Sequence, residues 1–308
     1  FQNISERPLV NFGLHAVERR AWAEAEKWFR QHLAFDPKEK YAHVGLAMSL
    51  CAQGEQRGGV EALRAARHAL PYDPDIASQL GNALTTLGRF DEGQACHRWA
   101  MSAAPDKAGT HAMVLVDRLF DPSTRSEETA DAFRQWGERF AVPDAGEPAF
   151  AKPQPKERLT IGYIVGGQGN SPAGPALAKV LMNHDPERFQ TTGFGLGALS
   201  DAQNIVFQKC VSRWHDVAKM DPITLSAIVA AEEIDVLIDL GGFQTPDLLV
   251  AFGARMAPCQ AAWSGAPLGT GLKNMDSMIT DGYLDANSAM AGRMTEEMAH
   301  LALGSVLV

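Results

Sequence analysis

No uninterrupted apolar run in this chain reaches the ~18–20 residues that a membrane-spanning helix requires. Basic charge is short as well: 28 Lys and Arg stand against 37 Asp and Glu, a formal net charge of −9. General affinity for nucleic acid or for an anionic membrane needs clustered Lys and Arg, so the balance argues against both as partners. Cysteine is scarce and scattered. Cys51, Cys96, Cys210 and Cys259 form no Cys-x-x-Cys pair, which argues against a zinc site or a disulfide framework and suits a reducing cytoplasm. No metal and no resident cofactor is expected. Nothing near the start looks like a signal peptide, and the first residue is Phe1 rather than Met, as in a piece trimmed from something longer.

What is present is the composition of an ordinary globular protein, 45% hydrophobic and 21% charged. At 308 residues, two domains are expected. From Leu9 to Pro105 the chain is Ala-rich and punctuated by Asp36-Pro37, Asp73-Pro74 and Ala104-Pro105, at spacings of 37 and 31 residues. These straddle the ~34-residue period of tetratricopeptide repeats. In the third unit, Leu80-Gly81, Leu87-Gly88, Phe90, Ala95 and Ala100 fall where a two-helix repeat needs them. Small residues let paired helices approach, Gly88 turns the chain and Pro105 closes the second helix. Ala16, Trp22, Ala25 and Trp28 give a looser first unit, Gly54 and Ala62 a second. Three units in tandem favour repeats over a plain helical bundle. Such a stack presents a surface for a polypeptide or protein partner, and suits pairing with a second copy of itself. Two more helices are expected at 110–119 and 126–140, the latter opening on Ser126-Glu-Glu-Thr as a hydroxyl cap followed by acids.

A segment rich in Pro, Gly and charge, 143–156, reads as a linker. The expected organisation is therefore helical repeats over 1–108, linking helices and linker over 109–156, and an α/β lobe over 157–308. In that lobe, Leu159-Thr-Ile-Gly-Tyr-Ile-Val and Ile234-Asp-Val-Leu-Ile-Asp-Leu are apolar runs that stop at glycine-rich turns. Helices are expected at 173–183, 201–212, 222–233 and 248–255. Further strands are expected at 189–196, 214–217, 260–263 and 278–280. Alternation at this spacing implies a mainly parallel, Rossmann-like sheet with right-handed crossovers. Ligands of such sheets collect at the carboxyl ends of the strands.

Six stretches of this second half resemble the O-linked N-acetylglucosamine transferase and SPINDLY family of glycosyltransferases. They are Arg158-Leu-Thr-Ile-Gly-Tyr, Asn183-His-Asp-Pro-Glu-Arg-Phe, Ile234 to Gly242, Ala257-Pro-Cys-Gln-Ala-Ala-Trp-Ser-Gly, Met275-Asp-Ser-Met-Ile-Thr-Asp and Thr295-Glu-Glu-Met. Upstream, Phe133-Arg-Gln-Trp-Gly-Glu-Arg-Phe is similar to the helix that joins repeats to catalytic domain in that family. The resemblance implies a two-lobed enzyme with a Rossmann-like sheet in each lobe. Such an enzyme moves a sugar of the N-acetylglucosamine or fucose type from a UDP- or GDP-sugar onto Ser or Thr of a protein held by the repeats. On that resemblance these 308 residues are expected to hold the repeats and the first lobe, and the lobe that mainly holds the donor nucleotide is not among them. At the family's usual His-Pro stands Ser171-Pro172, making Ser171 the candidate for the catalytic position. Asn170, Pro172, Gly242, Phe243, Gln244, Thr245, Pro267, Gly269 and Thr270 are the candidates for substrate contact.

The departures matter chemically. Serine is no general base near neutral pH without help, whereas an imidazole titrates there. Gly242-Phe243-Gln244 stands where the family has Gly-His-Thr or Gly-Tyr-Thr, and Ala266-Pro267-Leu268-Gly269-Thr270 has lost a phenol. A degenerate family member acting as a protein-binding scaffold is therefore the alternative. A small-molecule enzyme on one lobe is a third reading, opposed by an incomplete fingerprint: Gly167-Gln168-Gly169 lacks its third glycine at Pro172. Asp235 and Asp239 are expected as satisfied strand-end acids, Trp263 as core, and His184 and His215 as caps or surface decoration.

Overall fold

A computed structural model describes residues 8–143, 156–166, 174–195, 202–217, 220–263, 268–281 and 294–301. It divides into two compact units, Phe1–Ser123 and Thr124–Val308.

The first unit is helical: α1 (Pro8–Glu18), α2 (Trp22–Phe35), α3 (Lys40–Ala52), α4 (Gln56–Ala69), α5 (Pro74–Thr86), α6 (Phe90–Ala103) and α7 (Ala108–Arg118). The turns inside the three hairpins carry a left-handed residue at Arg20 (φ 57°), Gly54 (φ 86°) and Gly88 (φ 73°), thirty-four positions apart each time. The repeat period thus lies in the tight turns, while the Pro punctuation wanders around it. Arg20 adopts a backbone that costs an L-residue with a Cβ about 1–2 kcal/mol, so the first repeat is the strained one. Small residues bring the helices together: a Cβ on Gly81 would lie 2.4 Å from the His97 ring. Val10, Ala16, Ala25, Phe29, Ala42, Leu46 and Leu50 form one core cluster, and Ala47, Val60, Leu63, Leu80 and Leu84 the next. Asp73 caps α5 by accepting from Asp75 N and Ile76 N, with Pro74 in the first turn.

The second unit opens with α8 (Ser126–Phe140). Its N-cap is Arg125, with no side-chain capping bond, so the expected hydroxyl cap is displaced: Ser126 is already helical. Glu127 and Glu128 still sit in the first turn, where the helix dipole favours acids. The strands are β1 (Leu159–Val165), β2 (Phe189–Gly195), β3 (Arg213–Asp216), β4 (Val236–Asp239), β5 (Cys259–Ala262), β6 (Ser277–Asp281) and β7 (Glu297–Leu301). Between them lie α9 (Gly174–Met182), α10 (Ala202–Lys209), α11 (Pro222–Ala231) and the short α12 (Pro246–Leu249). Three-residue and four-residue 3-10 turns, Gly242–Gln244 and Val250–Gly253, flank α12. The seven strands stand in the order β3-β2-β1-β4-β5-β6-β7, and every pairing is parallel. Ile161, Tyr163 and Val165 alternate toward Leu177, Ala178, Leu181 and Phe207, joined by Ile238, Leu240, Ala261 and Trp263 in one core. Strand β7 has no counterpart among the expected elements; its residues are mostly exposed and show no alternation. Among the described residues, no helix is long and apolar enough to cross a membrane.

The two histidines do more than decorate. His184 Nε2 lies 2.6 Å from the buried Tyr163 hydroxyl, and burial pushes the phenol up and the imidazole down. His215 stacks on Phe194 and meets Glu232 at 3.0 Å. Both rings are half-buried links between elements, because the apolar neighbours Phe189 and Phe194 give them a face to pack on.

Candidate functional site

Strand β1 has β2 on one side and β4 on the other, so the strand order reverses between β1 and β4. In an open parallel sheet that reversal leaves a crevice outside the carboxyl ends of the two strands, and ligands bind there. The turn after β1, residues 167–173, lies outside the described residues, and with it Asn170, Ser171 and Pro172. Pro267 lies outside them too. The turn after β4 is described.

Asp239 ends β4 opposite Ile164 of β1 and Ala262 of β5, and is fully buried. One carboxylate oxygen accepts from Gly241 N at 3.1 Å and the other from Gly242 N at 2.8 Å. Burial pushes its carboxyl up to about 6, against the pull of the two amides. Gly242 takes φ 51° and starts the 3-10 turn. Phe243 then turns inward, 5% exposed, with ring centroids 4.6 Å from Phe133 and 4.8 Å from Trp136 of α8. Gln244 is exposed. Thr245 is half-buried, and its hydroxyl is buried without a protein partner. A Cβ at position 241 would stand 2.0 Å from that hydroxyl, so only glycine fits beneath it.

The loop after β5 is held as firmly. Thr270 is fully buried; its N–H and hydroxyl both donate to Glu296 Oε1, at 2.6 and 2.5 Å. Gly269 and Gly271 have φ 84° and 73°. A Cβ on Gly271 would meet the Phe133 carbonyl at 2.5 Å, and one on Gly137 the Gly271 carbonyl at 2.2 Å. Helix α8 therefore lies backbone to backbone on this loop. Gln260, 0% exposed, donates to the carbonyls of Phe252, Ala254 and Asn274 and accepts from Met256 N. Four bonds from one buried amide fix the approach to β5.

Of the residues singled out in the sequence, the structure brings Gly242, Phe243, Gln244 and Thr245 together on the β4 turn. It places Gly269 and Thr270 on the loop after β5, with the Thr270 hydroxyl engaged by Glu296. Asp235 accepts from Lys156 Nζ at 2.6 Å and Thr160 N at 2.8 Å, and Trp263 is core, 6% exposed, both as expected. Sequence reasoning missed the clamp made by Glu296. An acid inside the recurrent Thr295-Glu-Glu-Met stretch was the available signal. Among the described residues one further group, His32, Asp36 and Glu39 of the helical unit, brings potential metal-ligand atoms within 4.8 Å. Asp36 and Glu39 accept from Lys38 N and Tyr41 N, the work of turn and cap residues.

The class defined here is a helical-repeat protein continued by a parallel sheet whose strand order reverses at β1–β4. The family model described as glycosyl transferase family 41 matches residues 146–305, over half of the chain, and the chain belongs to that family. It is 25% identical over 228 residues to a rice (Oryza sativa subsp. japonica) protein described as a probable UDP-N-acetylglucosamine–peptide N-acetylglucosaminyltransferase SPINDLY, covering 72% of this chain and 21% of that protein. A UDP-N-acetylglucosamine–peptide N-acetylglucosaminyltransferase of Caenorhabditis elegans is 28% identical over 149 residues, covering 47% of this chain and 13% of that one. The chain thus spans about a fifth or less of the length of these curated relatives. Among solved structures, an O-GlcNAc transferase variant from Thermobaculum terrenum superposes with a TM-score of 0.82 at 25% identity, over 96% of this chain and 57% of that one.

Proposed function

We propose that this chain is the repeat and first-lobe portion of a protein O-glycosyltransferase. The acceptor polypeptide lies on the repeats. A sugar of the N-acetylglucosamine or fucose type comes from a UDP- or GDP-sugar at the β1–β4 rim. The acceptor Ser or Thr oxygen bonds to the anomeric carbon as the bond from that carbon to the diphosphate breaks; the nucleoside diphosphate leaves with the bonding pair and takes up the hydroxyl proton. No metal or resident cofactor enters this reading. The four cysteines, all free, suit a cytoplasmic setting.

The observation that carries the reading is the family match over residues 146–305 on a sheet whose order reverses at β1–β4. Within the rim, the unpartnered Thr245 hydroxyl supplies a hydrogen bond to a bound sugar or phosphate, and exposed Gln244 a second. Asn170, Ser171, Pro172, Pro267 and Gly269 complete the contact set proposed from the sequence. Chemistry of this type depends on positioning and on stabilising the departing diphosphate, which leaves room for turnover without an imidazole at position 171 once a donor-binding second lobe is supplied.

The second reading, a scaffold without catalysis, draws on Phe243, which fills core space instead of offering a polar atom at the rim. Calorimetry separates the two. Heat on titration with UDP-N-acetylglucosamine or GDP-fucose at millimolar levels supports the transferase; silence with both removes that reading for this chain.

A further inference from the structure

One side chain anchors the start of the β4 turn. Each oxygen of the Asp239 carboxylate takes one amide, Gly241 N at 3.1 Å and Gly242 N at 2.8 Å. An ionised carboxylate is acceptor-only and can serve both. Once protonated, one oxygen becomes a hydroxyl that faces an N–H with a hydrogen of its own. One glycine amide then faces a hydroxyl, a weaker acceptor than the carboxylate, and its bond is weakened where no water replaces it. Gly242 takes φ 51°, a left-handed backbone that glycine enters without strain, so the two bonds to Asp239 select it among the many open to this residue. Gly241 lies beneath the Thr245 hydroxyl, and the Gly242 carbonyl accepts from Thr245 N at 3.1 Å.

We propose that Asp239 is a positioning residue: its ionised carboxylate sets the Gly241–Gly242 backbone and the Thr245 hydroxyl above it for the ligand at the β1–β4 rim, and its protonation releases them. This deepens, and rests on, the sugar-nucleotide reading of the rim. Its neighbours leave it alone as a titrating group. Strand β1 offers Ile164 beside it and β5 offers Ala262. The β4 turn itself contributes the Thr245 hydroxyl, Phe243 and Gln244. In sequence, the residues that follow β1 and β5, 166–173 and 263–267, contain no acid, base or histidine. From α8, Phe133 and Trp136 reach the turn, both apolar faces. Burial, opposed by the two amides, puts the carboxyl at about 6, within reach of ordinary buffers.

Two measurements on the whole chain test this. The first follows the 15N amide resonances of Gly241 and Gly242 from pH 4.5 to 8. A shared titration with a midpoint near 6 that disappears in Asp239→Asn is expected. Flat resonances, or a midpoint unchanged in the variant, overturn the proposal without reference to any ligand. The second measures UDP-N-acetylglucosamine and GDP-fucose affinity by calorimetry at pH 7.5 and pH 5. If only the ionised form binds, affinity at pH 5 drops by about tenfold, in proportion to the competent fraction. Binding that is equally tight at both pH values overturns the positioning role even where the amides titrate. Absence of binding at every pH sinks the sugar-nucleotide reading and with it the ligand part of the proposal, while the amide titration still decides whether Asp239 holds the turn.

Discussion

The two units of this chain are held together by opposite strategies. In the helical unit the same device recurs: a left-handed turn residue at 20, 54 and 88, and small residues where helices cross. At these repeated positions each unit shows what the others would tolerate. Among the described residues of the sheet unit the holding contacts are each used once: Asp239 for the β4 turn, Glu296 for Thr270 and bare backbone at Gly271 against α8 at the carboxyl edge, and Gln260 for the approach to β5 at the amino edge. Repetition yields graded tolerance. Unique clamps yield a shaped rim that fails abruptly when one of them is changed.

The sharpest way to break this contrast is Gly271→Ala. Left-handed backbone and a clash with the Phe133 carbonyl together predict a loss of about 2–5 kcal/mol, seen as early melting of the sheet unit with helical ellipticity largely kept. Equal loss from both units would show that they do not respond separately. Gln260→Ala comes next. Three carbonyls and an amide lose their partner in a buried site, and a fall of about 2–4 kcal/mol in denaturant unfolding is expected.

Asp239 supplies a pH-dependent case. Its folded value of about 6 lies above the ordinary aspartate value near 4, so the unfolded chain gives up the proton first. Its contribution to stability is therefore neutral below about pH 4 and turns unfavourable as pH rises to 6, reaching about 3 kcal/mol above that. Relative to wild type, Asp239→Asn should gain by up to that amount between pH 4 and pH 7; a constant difference across the range would contradict the assignment. The smallest effect belongs to the repeats. Arg20→Gly relieves a left-handed arginine and should add about 1 kcal/mol to the helical unit's stability, while Gly88→Ala should remove about as much.

How much of this was legible beforehand follows the same division. The strand at 159–165 and the helix at 126–140 stand in the structure with the bounds read from the sequence, because apolar period and composition marked both ends. Strand β7 escaped notice: among the described residues it ends the sheet beside β6, and exposure removes the alternation that would have betrayed it. Thr270 read as a rim hydroxyl but is consumed by an acid 26 positions away, a pairing that only the folded chain creates. Phe243 read as a departure at the chemistry, and what no sequence pattern revealed was that α8 folds over it. The repeat period was visible as an average; its true marker includes an arginine in a glycine's place.

The central claim is that a sugar nucleotide occupies the rim between β1 and β4. Photo-crosslinking with a diazirine-bearing UDP-N-acetylglucosamine, followed by peptide mapping of the adducts, tests it most directly. Labelling within residues 166–173 or 241–245, suppressed by excess unmodified donor, is the predicted outcome. Competable labelling confined to other segments would contradict the account.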